Sequence, residues 1–111
     1  RRRLLGQVSL ERFTPKTITD MDAIEAEIAI VKRDGVGYDR EEYLPGLICV
    51  AVLVPSTNRA SNLGLAIQAP SMRLTPQRVE AAIPALQRAA SALQAIEEQA
   101  ASGPDLNNLS A

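Results

Sequence analysis

The sequence contains no histidine, no tryptophan and only one cysteine. Without histidine the usual general base near neutral pH is missing. The Ser-His and Cys-His nucleophile pairs and the commonest metal ligand go with it. A single cysteine forms neither an internal disulfide nor a thiolate metal cage, which fits a reducing compartment. Aromatic residues are 3% of the 111, so a core must be built from Leu, Ile, Val and Ala. The net charge of -1 lacks the basic surplus that electrostatic nucleic-acid binding needs, and the opening "RRR" is the only basic cluster. The longest apolar run, Leu47 to Val54, falls far short of the roughly 20 residues that span a bilayer. The N-terminus lacks the apolar stretch of a signal peptide. Together these absences predict a cytoplasmic chain with no metal, no cofactor and no membrane partner.

What is present suits one globular domain, since hydrophobic residues make up 46% of the chain. "RRRLLGQVSLERFTPK" reads as a helix end followed by a short extended piece. So abrupt a start implies a chain that begins inside a larger protein. Residues 20–34 predict an amphipathic helix, with Met21, Ile24, Ile28 and Val31 on one face. Thr19 or Asp20 caps its start, and Gly35 stops it after Lys32 and Arg33. Residues 36–41 read as a short strand or turn. After Pro45-Gly46, Leu47 to Val54 reads as a strand covered on both faces. "PSTNRASN" is a polar loop, and residues 63–69 form a second strand that Pro70 ends. A last helix starts with Thr75 as cap and Pro76 in the first position. Its stripe is Val79, Ile83, Leu86, Ala90, Leu93 and Ile96, with Pro84 as an expected kink and Gly103-Pro104 as the stop.

Strand side chains alternate between faces. In the first long strand, Ile48, Val50, Val52 and Val54 share one face, and Leu47, Cys49, Ala51 and Leu53 the other. In the second, Leu63, Leu65, Ile67 and Ala69 oppose Gly64, Ala66 and Gln68. Pairing the two as a hairpin with bulky faces together leaves a face of small residues and one amide. Either a helix packs very close there or a small molecule sits there. Asp39, Glu41 and Glu42 read as a solvated loop edge, from which Asp39 can reach over that face. Cys49 reads as a buried, inert thiol.

The segment "ERFTPKTITDMDAIEAEIAIVKRDGVGYDREEYLPGLICVAVLVP" resembles the effector-binding domain of IclR-type bacterial transcription regulators. Threonines precede a helix, followed by "D-x-E-E" and then a "G-x-x-C-x-A" pattern. Gly35, Asp39, Glu41, Glu42, Gly46, Cys49 and Ala51 fall in register, and Pro70 and "MRLTPQRV" match as well. The resemblance covers residues 11–98. It implies an α+β, GAF-like fold, here partial, with an antiparallel sheet flanked by helices. It implies a small organic effector, often a carboxylate or aromatic acid, held in a pocket on the sheet. It implies a homodimer or homotetramer. DNA would be bound by a winged helix-turn-helix absent from this chain, which is then the C-terminal part of a single effector-binding domain. The family's pocket aspartate falls on Asp39, its cysteine on Cys49 and an apolar wall position on Leu47. Its two pocket serines fall on Ala66 and Gln68, a departure that removes two hydroxyls and favours a more apolar ligand. The family's tyrosine falls on Val36, with Tyr38 two positions later.

The resemblance thus implies a ligand-sensing regulatory domain that couples effector binding to DNA binding elsewhere in the full-length protein. The alternative is a pure dimerisation or oligomerisation domain without a ligand. An enzyme with Cys49 as nucleophile and Asp39 as base is not expected. A mid-strand thiol among aliphatic residues has no cation or helix dipole to make it a thiolate.

Overall fold

The computed structural model describes residues 5–55 and 63–102. Most of the polar loop and the tail beyond residue 102 lie outside the described residues. The elements run α1 (Met21–Asp34), β1 (Val36–Arg40), β2 (Leu47–Leu53), β3 (Gly64–Pro70) and α2 (Pro76–Ser102).

Helix α1 starts at Asp20, whose side chain accepts from the Asp22 N–H in the N-cap geometry. It ends at Gly35, whose N–H donates to the Val31 carbonyl at 2.7 Å. Gly35 has φ +72°, a left-handed value that glycine adopts without cost. No residue of α1 is fully buried, and its apolar stripe is half-exposed.

The three strands form one antiparallel sheet in the order β1-β2-β3. Val36 pairs with Val52, and Val52 in turn with Leu65. Tyr38, Val50 and Ile67 form the next row. These rows face α2 and build the core, where Val50 is fully buried and Val36, Val52, Val54, Leu86 and Ala90 nearly so. Tyr38, Leu65, Ile67, Val79 and Ile83 complete it. The Thr75 hydroxyl accepts from the Arg78 N–H as α2 begins. Pro84 does not end the helix. Both Pro84 and Glu80, whose carbonyl loses its N–H partner to the ring, lie on the exposed side.

Two sequence expectations change. The run from Leu47 to Val54 is covered on one face only, for Leu53 is 62% exposed and Cys49 and Ala51 are half-buried. The reason is that α2 occupies the valine face, while α1 packs chiefly beside β1. The stripe of α2 also outruns the sheet, leaving Leu93 and Ile96 exposed.

Candidate functional site

The antiparallel register decides which side chains share a face. Asp39 pairs with Cys49, and Cys49 with Gln68, so one row crosses all three strands. The next row is Gly37, Ala51 and Ala66. Leu47 stands two residues before Cys49 and therefore on the same side. The five residues singled out in the sequence, Asp39, Leu47, Cys49, Ala66 and Gln68, thus lie together on the face opposite α2. Ala66 and Gln68 are exposed, and Asp39, Leu47 and Cys49 are half-buried. Of the two occupants the sequence allows, no helix of the described residues covers β3 here. Helix α1 borders the face at Gly37, where an added Cβ would lie 3.7 Å from a Val31 methyl. The result is an open trough with a floor of small residues and α1 along one side.

Burial and then the charge of Asp39 push the Cys49 thiol up from its ordinary range. Both effects favour the neutral thiol, the poorer nucleophile of the two forms. One Asp39 oxygen, Oδ1, accepts from the Glu42 N–H at 2.9 Å, which orients the carboxylate at the end of β1.

The acidic loop is not the solvated edge that the sequence suggests. Glu41 and Glu42 are half-buried, and each carboxylate accepts a backbone N–H. Glu42 Oε2 takes the Arg40 N–H at 2.9 Å, and Glu41 Oε1 takes that of Gly46 at 2.8 Å. Glu41 Oε2 also meets Lys16 Nζ at 2.5 Å. Lys16 foremost, then the Gly46 N–H, holds the Glu41 carboxyl below its ordinary range. Glu41 has φ +59°, uncommon for a residue with a side chain, and these bonds hold it there. Two threonines support the loop from outside. The buried Thr14 hydroxyl donates to the Glu41 carbonyl at 2.6 Å, and the Thr17 hydroxyl donates to that of Glu42. Two threonines three apart before α1 mark hydroxyls that readily bond backbone groups, but nothing in the sequence names their partners across the 25 to 27 residues between.

A separate cleft of about 540 Å³ opens on the other side of the sheet, near the start of α2. Tyr38, Arg40, Ile48, Leu74, Val79 and Glu80 are among its walls, and none of the five candidate residues is. Arg40 stacks over the Tyr38 ring there at 4.1 Å.

Three antiparallel strands with a helix on one face and a second helix bordering the other make an α+β architecture. It is the architecture of effector-binding domains of bacterial transcription regulators. The crystal structure of the C-terminal domain of the Escherichia coli transcriptional regulator KdgR superposes with a TM-score of 0.76 at 32% identity. The match covers 85% of this chain and 57% of that one. An inducer-binding domain of PobR from Acinetobacter, a double mutant in complex with 3-hydroxybenzoic acid, superposes with a TM-score of 0.77 at 26% identity. That match covers 83% of this chain and 53% of the other.

The chain belongs to the IclR family: the family model described as "Bacterial transcriptional regulator IclR C-terminal" matches residues 1–95. The HTH-type transcriptional regulator BhcR of Paracoccus denitrificans is 30% identical over 92 residues, which are 83% of this chain and 33% of BhcR. The HTH-type transcriptional regulator KdgR of Escherichia coli is 32% identical over 94 residues, 85% of this chain and 36% of KdgR. The chain thus spans about a third of the length of these relatives. Among the described residues no helix is long and apolar enough to cross a membrane.

Proposed function

We propose that this chain is part of a single effector-binding domain, and that a small organic effector binds on the face of Asp39, Leu47, Cys49, Ala66 and Gln68. The observation that carries the reading is the register, which sets Asp39, Cys49 and Gln68 in one row across an otherwise apolar, small-residue floor. A mostly apolar surface with a few convergent polar groups is what small-molecule sites require. Binding would favour one global state of the regulator and so change DNA binding by a segment outside this chain.

The test is a thermal-shift titration of the full-length regulator with a broad panel of small organic compounds. A true effector at about 100 times its dissociation constant adds about 2.7 kcal/mol to stability. Asp39→Ala and Cys49→Ala should weaken binding while leaving a folded protein. If both variants only unfold it, the five residues are structural and the reading fails.

The exposed Leu93 and Ile96 on α2 support a second reading, in which the domain serves chiefly to pair copies as a dimer or tetramer. Under it, oligomers persist and no compound shifts stability.

A further inference from the structure

The cleft on the helix side of the sheet opens where the core stops. Two rows, Val36-Val52-Leu65 and Tyr38-Val50-Ile67, pack beneath α2. The next row on the same side, Arg40, Ile48 and Ala69, is left out of the core. Much of the lining there is apolar: Leu74 is buried, and Tyr38, Ile48 and Val79 are half-buried. The volume of about 540 Å³ lies within the range of small-molecule sites. The cleft is separate from the trough, because β1 turns Tyr38 and Arg40 to one side and Asp39 to the other.

Four charged side chains line the cleft, Lys16, Arg40, Glu41 and Glu80. Two of them satisfy each other, since Lys16 Nζ meets Glu41 Oε2. The other two are left over. The Arg40 guanidinium lies over the Tyr38 ring at 4.1 Å, which steadies it and leaves its N–H groups without an acceptor among the described residues. Arg40 also borders a shallower hollow that holds Glu27 and Glu42, yet it forms no ion pair with either. Glu80 stands near the start of α2, and its carboxylate has no partner among the described residues. One cleft thus carries an unpaired cation from β1 and an unpaired anion from α2, which do not meet.

We infer that this cleft binds a small zwitterion with an apolar side chain, the chemistry of a hydrophobic α-amino acid. The carboxylate pairs with the Arg40 guanidinium, whose planar fork suits two carboxylate oxygens. The ammonium pairs with Glu80. The side chain lies against Ile48, Leu74 and Val79. An acid without the amine crowds Glu80, and an amine without the acid crowds Arg40, so the two signs together are selected. The site stands independently of any effector in the trough.

Calorimetric titration of the full-length protein with leucine and phenylalanine tests the inference. The controls are 4-methylpentanoate and 3-phenylpropanoate, which lack the ammonium, 3-methylbutylamine and 2-phenylethylamine, which lack the carboxylate, and glycine, which lacks the apolar body. At least one of the two amino acids should bind about fivefold or more tighter than its controls. Arg40→Gln should weaken that amino acid and leave its amine control unchanged. Glu80→Gln should weaken it and leave its acid control unchanged. Both replaced side chains are exposed, so the melting temperature should hold. Gln68→Ala, in the trough, should alter nothing. An acid control that binds as tightly as its amino acid would overturn the zwitterion assignment. Absence of binding by both amino acids at millimolar concentration would overturn the site, as would binding that Gln68→Ala abolishes and the two cleft variants leave untouched.

Discussion

Thr14 is the one buried polar residue among those described, and its hydroxyl works in two directions. It donates to the Glu41 carbonyl at 2.6 Å and accepts from the Lys16 N–H at 3.0 Å. Thr14→Val keeps the shape and leaves both backbone groups without their partner. The expected loss is about 1–3 kcal/mol in urea unfolding, with Thr14→Ser recovering most of it. Cys49 gives a second prediction at this scale. Its alkylation by iodoacetamide should be slow at neutral pH and rise only in alkali. Asp39→Asn should shift that pH–rate profile to lower pH, because the carboxylate charge opposes thiolate formation. An unchanged profile would separate the two side chains. That Cys49, Ala66 and Gln68 share a face was legible in the sequence, because alternation fixes which strand residues share a side; that Asp39 pairs with Cys49 was not, because Asp39 read as part of a loop edge. The contact of Thr14 with Glu41 was not, since 27 residues separate them and no periodicity links a loop to a distant hydroxyl.

Among the elements, α2 divides into a half that carries the core and a half that does not. Leu86 is 5% exposed against the valine face, and Ile96 is 62% exposed beyond it. Leu86→Ala should therefore cost about 2–5 kcal/mol. Ile96→Ala should stay within about 0.5 kcal/mol in the isolated subunit. Unfolding midpoints of the two variants check the contrast. The loop between β1 and β2 behaves differently, since electrostatics holds it. The folded state depresses the Glu41 carboxyl, so its contribution is present above the ordinary glutamate range and lost as pH falls through the depressed value. Amide exchange at Gly46 should thus speed up in acid relative to the base trend, and Glu41→Gln should abolish that component. The sequence marked this loop by its acids. It could not show whether they met water or backbone, because that depends on how the segment around Thr14 and Thr17 folds back.

For the molecule as a whole, the element order, the caps and the hairpin were readable from periodicity and turn chemistry. The coverage of the sheet was not. An apolar run such as Leu47 to Val54 looks the same whether one face or both are packed, and only the placement of α1 beside β1 distinguishes the cases. The same limit applies to the trough. The sequence gathers its residues, but whether they are roofed depends on parts that a third-length match does not include.

The register has a further consequence. Even-numbered positions of β2 and odd-numbered positions of β3 hold the protein together, and the intervening ones face the trough. On the proposed effector face, stability and selectivity would therefore be spelled in alternate letters of the same strands. Substitutions at 66 and 68 would change that face without disturbing Val50 or Val52. Under that proposal, a lineage carrying this sheet would change its signal molecule one exposed residue at a time and keep its fold at each step.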